Sequence, residues 1–361
     1  MSDENEGLNP NILKKAREEY EDRAQCPPGY IEVRLSTRGF IGAPEKFHIR
    51  NFSAEDLMNL GLADQENVPI KLLKVLQDLI YEKDVNIENF HEKEVIELLL
   101  LLYETFYTEI FGGQEWIPTE EDWDYLRETS GGDTEEFRAK KRALENKQWK
   151  PTFDINIRED LDYYEIDPAI KTNAKIDKEI AGEKFSAVFA LPKFGDFMPL
   201  KYFMESVYKD KDKQFARIGE MIKFRKDMEE KLAKGENIDL AKIPTVPKAE
   251  YDKYKEYETE KSLFSIRASI ALYLKEFDGK DVSKMKLEDK IPMAKDARLD
   301  YSTFKMVQDH FNKLEFGLKE EITVNDPIMN KIVTRKYTFQ FVDLLTAIKD
   351  TGTAKTTISF V

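Results

Sequence analysis

The run FHEKEVIELLLLLYETFYTEIF, Phe90 to Phe111, opens with His91-Glu92. This is the first half of the His-Glu-x-x-His pattern that sets two imidazoles on one helix face around a zinc ion. The second ligand position holds Val95, and the three histidines, His48, His91 and His310, lie far apart in sequence. The spacing excludes that zinc site and predicts an ordinary N-terminal helix position for His91. Asp350-Thr351-Gly352 copies the triplet that carries the aspartic-protease carboxylate, but VDLLTAIK before it reads as helix. A helix-ending turn is the better reading. Asp160, Asp162, Glu165 and Asp167 gather in REDLDYYEID without the glycine and spacing of a calcium loop. Nucleotide-binding glycine motifs, a phosphate loop and a Gly-x-Ser-x-Gly elbow are all absent. With these parts missing, the expectation is a protein that is not an enzyme and uses no cofactor or metal.

Net charge is −14 and the pI about 5.0, so the chain repels a phosphate backbone unless basic residues concentrate. The best local concentration, Arg138 to Arg142 in EEFRAKKRALENK, alternates with glutamates at helical spacing, as in Glu136 with Lys140. It reads as a solvated helix face rather than a nucleic-acid site. Cys26 is the one cysteine, which leaves no intramolecular disulfide. The acidic N-terminus lacks the apolar core of a signal peptide, and folding in a reducing cytosol is expected. Between Val95 and Phe111 the leucine run is interrupted by Glu97, Glu104 and Glu109, so it fails as a membrane span. Val95, Leu98, Leu99, Leu102, Phe106 and Ile110 instead line one face, widened by Leu100, Leu101, Tyr103, Tyr107 and Phe111. That pattern predicts a core helix buried on most of its circumference.

The elements around it follow from periodicity. Residues 1–29 read as an extended N-terminal arm, ended by Cys26-Pro27-Pro28-Gly29. Alternation at Ile31, Val33 and Leu35, then at Phe47 and Ile49, predicts a β-hairpin. Ser53 and Asp56 form a capping box for the next helix, and Pro69 starts another that runs to Tyr81. Gly112-Gly113 and Gly131-Gly132 read as turns around a segment anchored by Trp116 and Trp123. A charged helix over 134–147 leads into a connecting segment, 151–182, that is strand-like or loosely ordered. From Glu183 a strand, a turn over Pro192 to Asp196 and a helix from Met198 restart the pattern. Charged helices over 210–234 and 248–277 and short helices from Ser283 to Lys313 follow. Ile322 and Val324, then Ile332, Val333, Tyr337, Phe339 and Phe341, make a second hairpin around Asp326-Pro327 and Asn330. The fold class is α+β, predominantly helical, with a β-hairpin near each end. The expected division is a helical domain over 30–150 and a second α+β domain over 183–361, each an α-rich lobe.

PEKFHIRNFSAEDLMNL, KLLKVLQDLIYE and FHEKEVIELLLLLYETFY, with KFSAVFALPKFGDFMPLKYFME in the second half, together resemble a known family. It is that of the baseplate hub assembly proteins of T-even-type contractile-tailed bacteriophages. The likeness covers 45–111, 183–232 and 318–345. Members carry cysteine pairs near the C-terminal hairpin that look like a metal knuckle; TVNDPIMNKIVTRKYTF has none, so a metal role there is excluded. The resemblance implies a virion protein of the tail baseplate, made in the host cytoplasm. Its expected partners are other hub or wedge proteins, or tail-tube or tape-measure proteins, in a symmetric assembly. Neither nucleic acid nor membrane is among them. Alternatives are an assembly chaperone absent from the finished virion, or a cytosolic scaffold unrelated to phage. Candidate contacts are Leu8, Ile12, Leu13 and Tyr20 on the arm, Phe194 and Phe197 at the proline turn, and Ile358 and Phe360 in TTISFV.

Overall fold

The computed structural model describes residues 26–61, 68–180, 182–233, 244–296, 299, 301–339 and 343–348. Along the chain these form β1 (Tyr30–Val33), β2 (Phe47–Arg50), α1 (Ala54–Gly61), α2 (Val68–Leu79), α3 (Glu92–Phe106) and β3 (Ile110–Glu115). Next come α4 (Glu120–Thr129), α5 (Glu135–Glu145), β4 (Thr152–Asn156), β5 (Leu161–Tyr163), β6 (Asn173–Ile180) and β7 (Glu183–Ala190). The rest are α6 (Phe194–Ala233), α7 (Lys248–Tyr273), β8 (Leu274–Phe277), β9 (Lys280–Asp281), α8 (Leu287–Lys290), α9 (Tyr301–Asn312), β10 (Leu318–Asn325) and β11 (Ile332–Lys336). The architecture is α+β with hairpins near both ends. Among the described residues no helix is long and apolar enough to cross a membrane.

The chain divides into two compact units, and the division differs from the one expected. Among the described residues, 26–61, 74–170 and 315–348 make the first; 68–73 and 171–314 make the second. The C-terminal hairpin therefore belongs with the N-terminal half. The cause is strand pairing: β10 lies between β11 and β5, with Leu318 opposite Tyr163 and Ile322 opposite Leu161. The segment read as a connection supplies β4 and β5 to the first unit and β6 to the second.

In the first unit α3 is the central element. Val95, Leu98, Leu99, Leu100 and Leu102 are fully buried, and Phe47 meets Phe90 edge-on at 5.5 Å. The helix stops at Phe106, one turn short of the expected apolar stripe, and Ile110 opens β3 instead. Gly112 and Gly113 are not a turn but an irregularity within β3, where the Gly113 amide donates to Asp154 Oδ1 of β4 at 2.8 Å. β11 likewise ends at Lys336, so Tyr337 and Phe339 are not strand residues. Their rings meet edge-on at 4.8 Å and pack on Phe153 and Phe111.

Two of the buried residues on α3 are acids. His91 is the N-cap: its Nδ1 accepts from Lys93 N, and the Glu94 carboxylate accepts from His91 N at 2.8 Å. The same carboxylate accepts from Thr37 Oγ1 at 2.5 Å, Ala43 N at 3.1 Å and Gly42 N at 3.3 Å. One turn on, Glu97 accepts from both Ser36 N and Ser36 Oγ at 2.7 Å. The loop between β1 and β2 is thereby folded onto the helix. Gly42 approaches so closely that a Cβ there would lie 2.3 Å from Asn89 O. Burial, with some repulsion from Glu94, raises the Glu97 pKa to about 7 despite the Ser36 bonds. Burial lowers that of His91 to about 4, helped by Lys93, which keeps the capping imidazole neutral.

The second unit is built on the antiparallel sheet β6-β7-β8-β9. Phe185, Ala187 and Phe189 alternate on the inner face of β7 and pack with Ile270, Leu274, Phe304 and Phe311. Helix α7 was expected to run to 277; it stops at Tyr273, and Asp278-Gly279, both at positive φ, turn β8 into β9. The helices read over 198 onward and 210–234 are one 40-residue helix, α6, about 60 Å long at 1.5 Å per residue. It runs antiparallel to α7 along an aromatic seam, with Phe215 stacked on Tyr257 at 4.8 Å and Tyr208 edge-on to Phe264 at 5.5 Å. Ion pairs Lys211–Glu260 and Asp212–Lys261 flank the seam. Because they are exposed, they contribute register more than energy.

Replacing Glu94 by Ala removes one acceptor shared by Thr37, Gly42, Ala43 and His91. The loss expected in chemical denaturation is about 4 kcal/mol, the scale of several stranded buried donors. The neighbouring groups give opposite pH dependences. Glu97, raised above its unfolded value, stabilises below about pH 4.5 and loses that contribution as pH rises through about 7. His91, depressed, stabilises above about pH 6.5 and loses its contribution as pH falls through about 4. Glu97→Gln is therefore expected to leave stability that rises with pH across this range. His91→Asn, which keeps a capping oxygen, is expected to leave stability that falls. Unfolding midpoints measured from pH 4 to 8 separate the two.

Candidate interaction face at the C-terminal hairpin

The hairpin β10–β11 turns through Asp326-Pro327 and Asn330. Asp326 Oδ1 accepts from Ile328 N at 2.7 Å and Met329 N at 2.9 Å, and Asn330 adopts φ 52°. An aspartate that folds its own backbone in this way, with an asparagine at positive φ, is ordinary turn chemistry. Strand alternation then sorts the side chains. Ile322 and Val324 are buried on the inner face, opposite Arg335 and Val333, while Glu321, Thr323, Asn325, Ile332, Thr334 and Lys336 are turned outward.

The inner face docks on residues 114–122. Arg335 lies over the Trp116 ring at 4.0 Å and donates through Nη2 to Ile117 O at 3.0 Å. Tyr337 Oη donates to Gln114 Oε1 at 2.6 Å, and Lys331 pairs with Glu121 at 3.3 Å. Beneath them Thr119 caps α4, and Asp122 closes the capping box. Asp122 Oδ2 accepts from Thr119 N at 2.7 Å, Thr119 Oγ1 at 3.0 Å and Trp116 Nε1 at 3.1 Å.

Asp122 and Asp326 are both fully buried, and their carboxyl groups are within hydrogen-bonding reach of each other. Asp122 Oδ1 and Asp326 Oδ2 are the oxygens left without a partner. Burial pushes both groups up. At Asp122 the donors from Thr119 and Trp116, with Asp326, outweigh it and hold the carboxylate low; at Asp326 burial and the Asp122 charge hold the carboxyl high. Paired carboxyls can do acid–base chemistry, but no substrate reaches a pair without solvent exposure. The arrangement holds the hairpin in place.

The outward face differs. Ile332 is 77% exposed at the start of β11, and Ile117, whose carbonyl holds Arg335, is 72% exposed. β11 is an edge strand, paired only with β10 among the described strands. An exposed apolar residue on an open edge is a template for another chain.

The residues singled out by sequence lie elsewhere. Phe194 is fully buried in the second unit and offers no surface, a correction that follows from its place at the start of α6 against the core. Phe197 lies in α6, in a stretch whose side chains are not described. Leu8, Ile12, Leu13, Tyr20, Ile358 and Phe360 fall outside the described residues, as do the arm up to residue 25, TTISFV and Asp350-Thr351-Gly352. The histidines are used separately: His48 with Glu82 at 2.6 Å, His91 as a cap, and His310 against Lys171 O at 3.3 Å. Among the described residues no three His, Cys, Asp or Glu side chains gather to hold a metal. The alternation of β11 and the Asp326 turn were visible in the sequence. The partnership of Trp116 and Asp122 with a hairpin some 200 residues away was not.

Trp116→Phe keeps a ring under Arg335 but removes one donor from Asp122. A loss of about 1–2 kcal/mol is expected, with the proteolytic susceptibility of the hairpin rising in step.

No family model, no curated protein and no solved structure matches this chain.

Proposed function

We propose that this chain is a non-enzymatic structural component of a bacteriophage tail baseplate, in the hub region, and that it works by binding other proteins. The observation that carries the reading is the open edge of β11, with Ile332 exposed on it and Ile117 exposed beside its docking segment. The sequence likeness over 45–111, 183–232 and 318–345 supplies the setting. Acidity supports it by disfavouring a nucleic-acid partner. A β-edge recognises an extended segment through main-chain hydrogen bonds, with side chains on alternate sides giving selectivity. Lys336, turned outward on β11, gives this edge a positive charge in an acidic chain, which suits an acidic partner segment.

Mass spectrometry of purified particles tests the setting. Recovery at a fixed low copy number is the expected result. Recovery from infected lysate alone would assign the chain to a transient assembly factor, and recovery from neither would remove the phage reading. Ile332→Asp is expected to leave the melting temperature within about 2 °C, as for an exposed substitution, while lowering incorporation into particles at least tenfold.

A further inference from the structure

We propose that Asp122 and Asp326 share a single proton, and that this proton fastens the turn of the C-terminal hairpin to the first turn of α4. The observation is geometric. Each carboxyl has one oxygen saturated by protein donors: Thr119 N, Thr119 Oγ1 and Trp116 Nε1 on Asp122, Ile328 N and Met329 N on Asp326. The two remaining oxygens are buried and have no other partner. Two like charges at this separation without solvent repel strongly, and one proton between them turns repulsion into a charge-assisted hydrogen bond. A metal ion is the other way to join two carboxylates. It requires four or more ligands, and only two oxygens are left here.

The surroundings say where the proton resides. Asp122 sits in the first turn of α4, where the helix dipole and three donors favour its charge. Asp326 has two amide donors on one oxygen and a negative neighbour at the other. The other charged groups of this docking site are Arg335 on β11, over the Trp116 ring that donates to Asp122, and the exposed Glu121–Lys331 pair at the rim; Glu120 shares the first turn of α4. Arg335 favours charge on the pair as a whole, and the acids oppose a second one. The sign follows: a carboxyl raised in the folded state stabilises while protonated, and its contribution disappears as pH rises through its folded value. The hairpin should therefore loosen on the alkaline side, and the shape of the face around Ile332 and Ile117 becomes proton-dependent. This holds whatever the partner, so its failure and that of the proposed function are read separately.

Hydrogen exchange of the full chain, corrected for intrinsic rates and followed from pH 5 to 9, tests the inference at the Ile328 and Met329 amides. In the native sequence their protection is expected to fall at least tenfold with rising pH. In Asp326→Asn it is expected to stay flat, because the amide supplies a permanent donor to Asp122 while its oxygen still accepts from Ile328 and Met329. Asp122→Asn is expected to behave likewise from the other side. Asp122→Asn with Asp326→Asn sets two amides against each other and is expected to lose protection at every pH. Protection in the native sequence that does not change with pH would overturn the proposal. So would an unchanged pH dependence in both single asparagine variants.

Discussion

A carboxylate cut off from water must be surrounded by donors, and the donors Glu94 collects come from parts of the chain far apart in sequence. Thr37, Gly42 and Ala43 belong to the loop between β1 and β2, and His91 belongs to the helix start. Because Glu94 lies among Val95, Leu98 and Leu99 with no exposure, leaving any of those bonds unmade costs nearly the full desolvation of the group. The loop is thus held where Phe47 and Ile49 complete the core, and the position of the N-terminal hairpin follows from one buried charge.

The same device recurs. Three helices begin with a capping box whose acid does more than close the cap. Asp56 takes its bond from Ser53 and a second from Arg50 of β2 at 2.6 Å, tying α1 to the hairpin. Burial pushes that carboxyl up, but the Arg50 and Ser53 bonds outweigh it and hold it below the usual range. Glu94 ties α3 to the β1–β2 loop, and Asp122 ties α4 to Trp116 and the C-terminal turn. At each site the helix N-terminus favours the negative charge, so one acid stabilises its helix and fixes a second element. An acidic chain rich in long helices can place charge inside at these points with little penalty.

What was legible in the sequence was local. Alternation at Ile31, Val33, Phe47 and Ile49 gave the first hairpin, Ser53 and Asp56 the first cap, and the glutamates of the leucine run a helix rather than a membrane span. Glu97 entered that reading only as a charge that interrupts the apolar run, yet it proved to be buried, because Ser36 reaches it from a loop 61 residues earlier. Errors arose wherever a partner distant in sequence decided the outcome. Gly112-Gly113 looked like a turn because Asp154 on β4 could not be foreseen. The C-terminal hairpin was assigned to the wrong unit because its pairing with Leu161 and Tyr163 spans more than 150 residues. The Asp278-Gly279 turn, by contrast, was an available local signal, masked by the helical pattern running into it. The acidic residues most involved in holding the first unit together look in sequence like solvated surface.

This construction has a consequence for the exposed edges. The β11 edge is positioned by buried polar groups behind it, and can be set firmly without a large apolar core under the hairpin. The central physical claim is that the β1–β2 loop and α3 form one cooperative unit through Glu94. Native-state hydrogen exchange at residue level tests it most directly. The Ala43 amide is expected to exchange only with global unfolding, at the same free energy as the amides of Leu99 and Leu100 in α3. Exchange of Ala43 through a low-energy local opening, with α3 still fully protected, would contradict it.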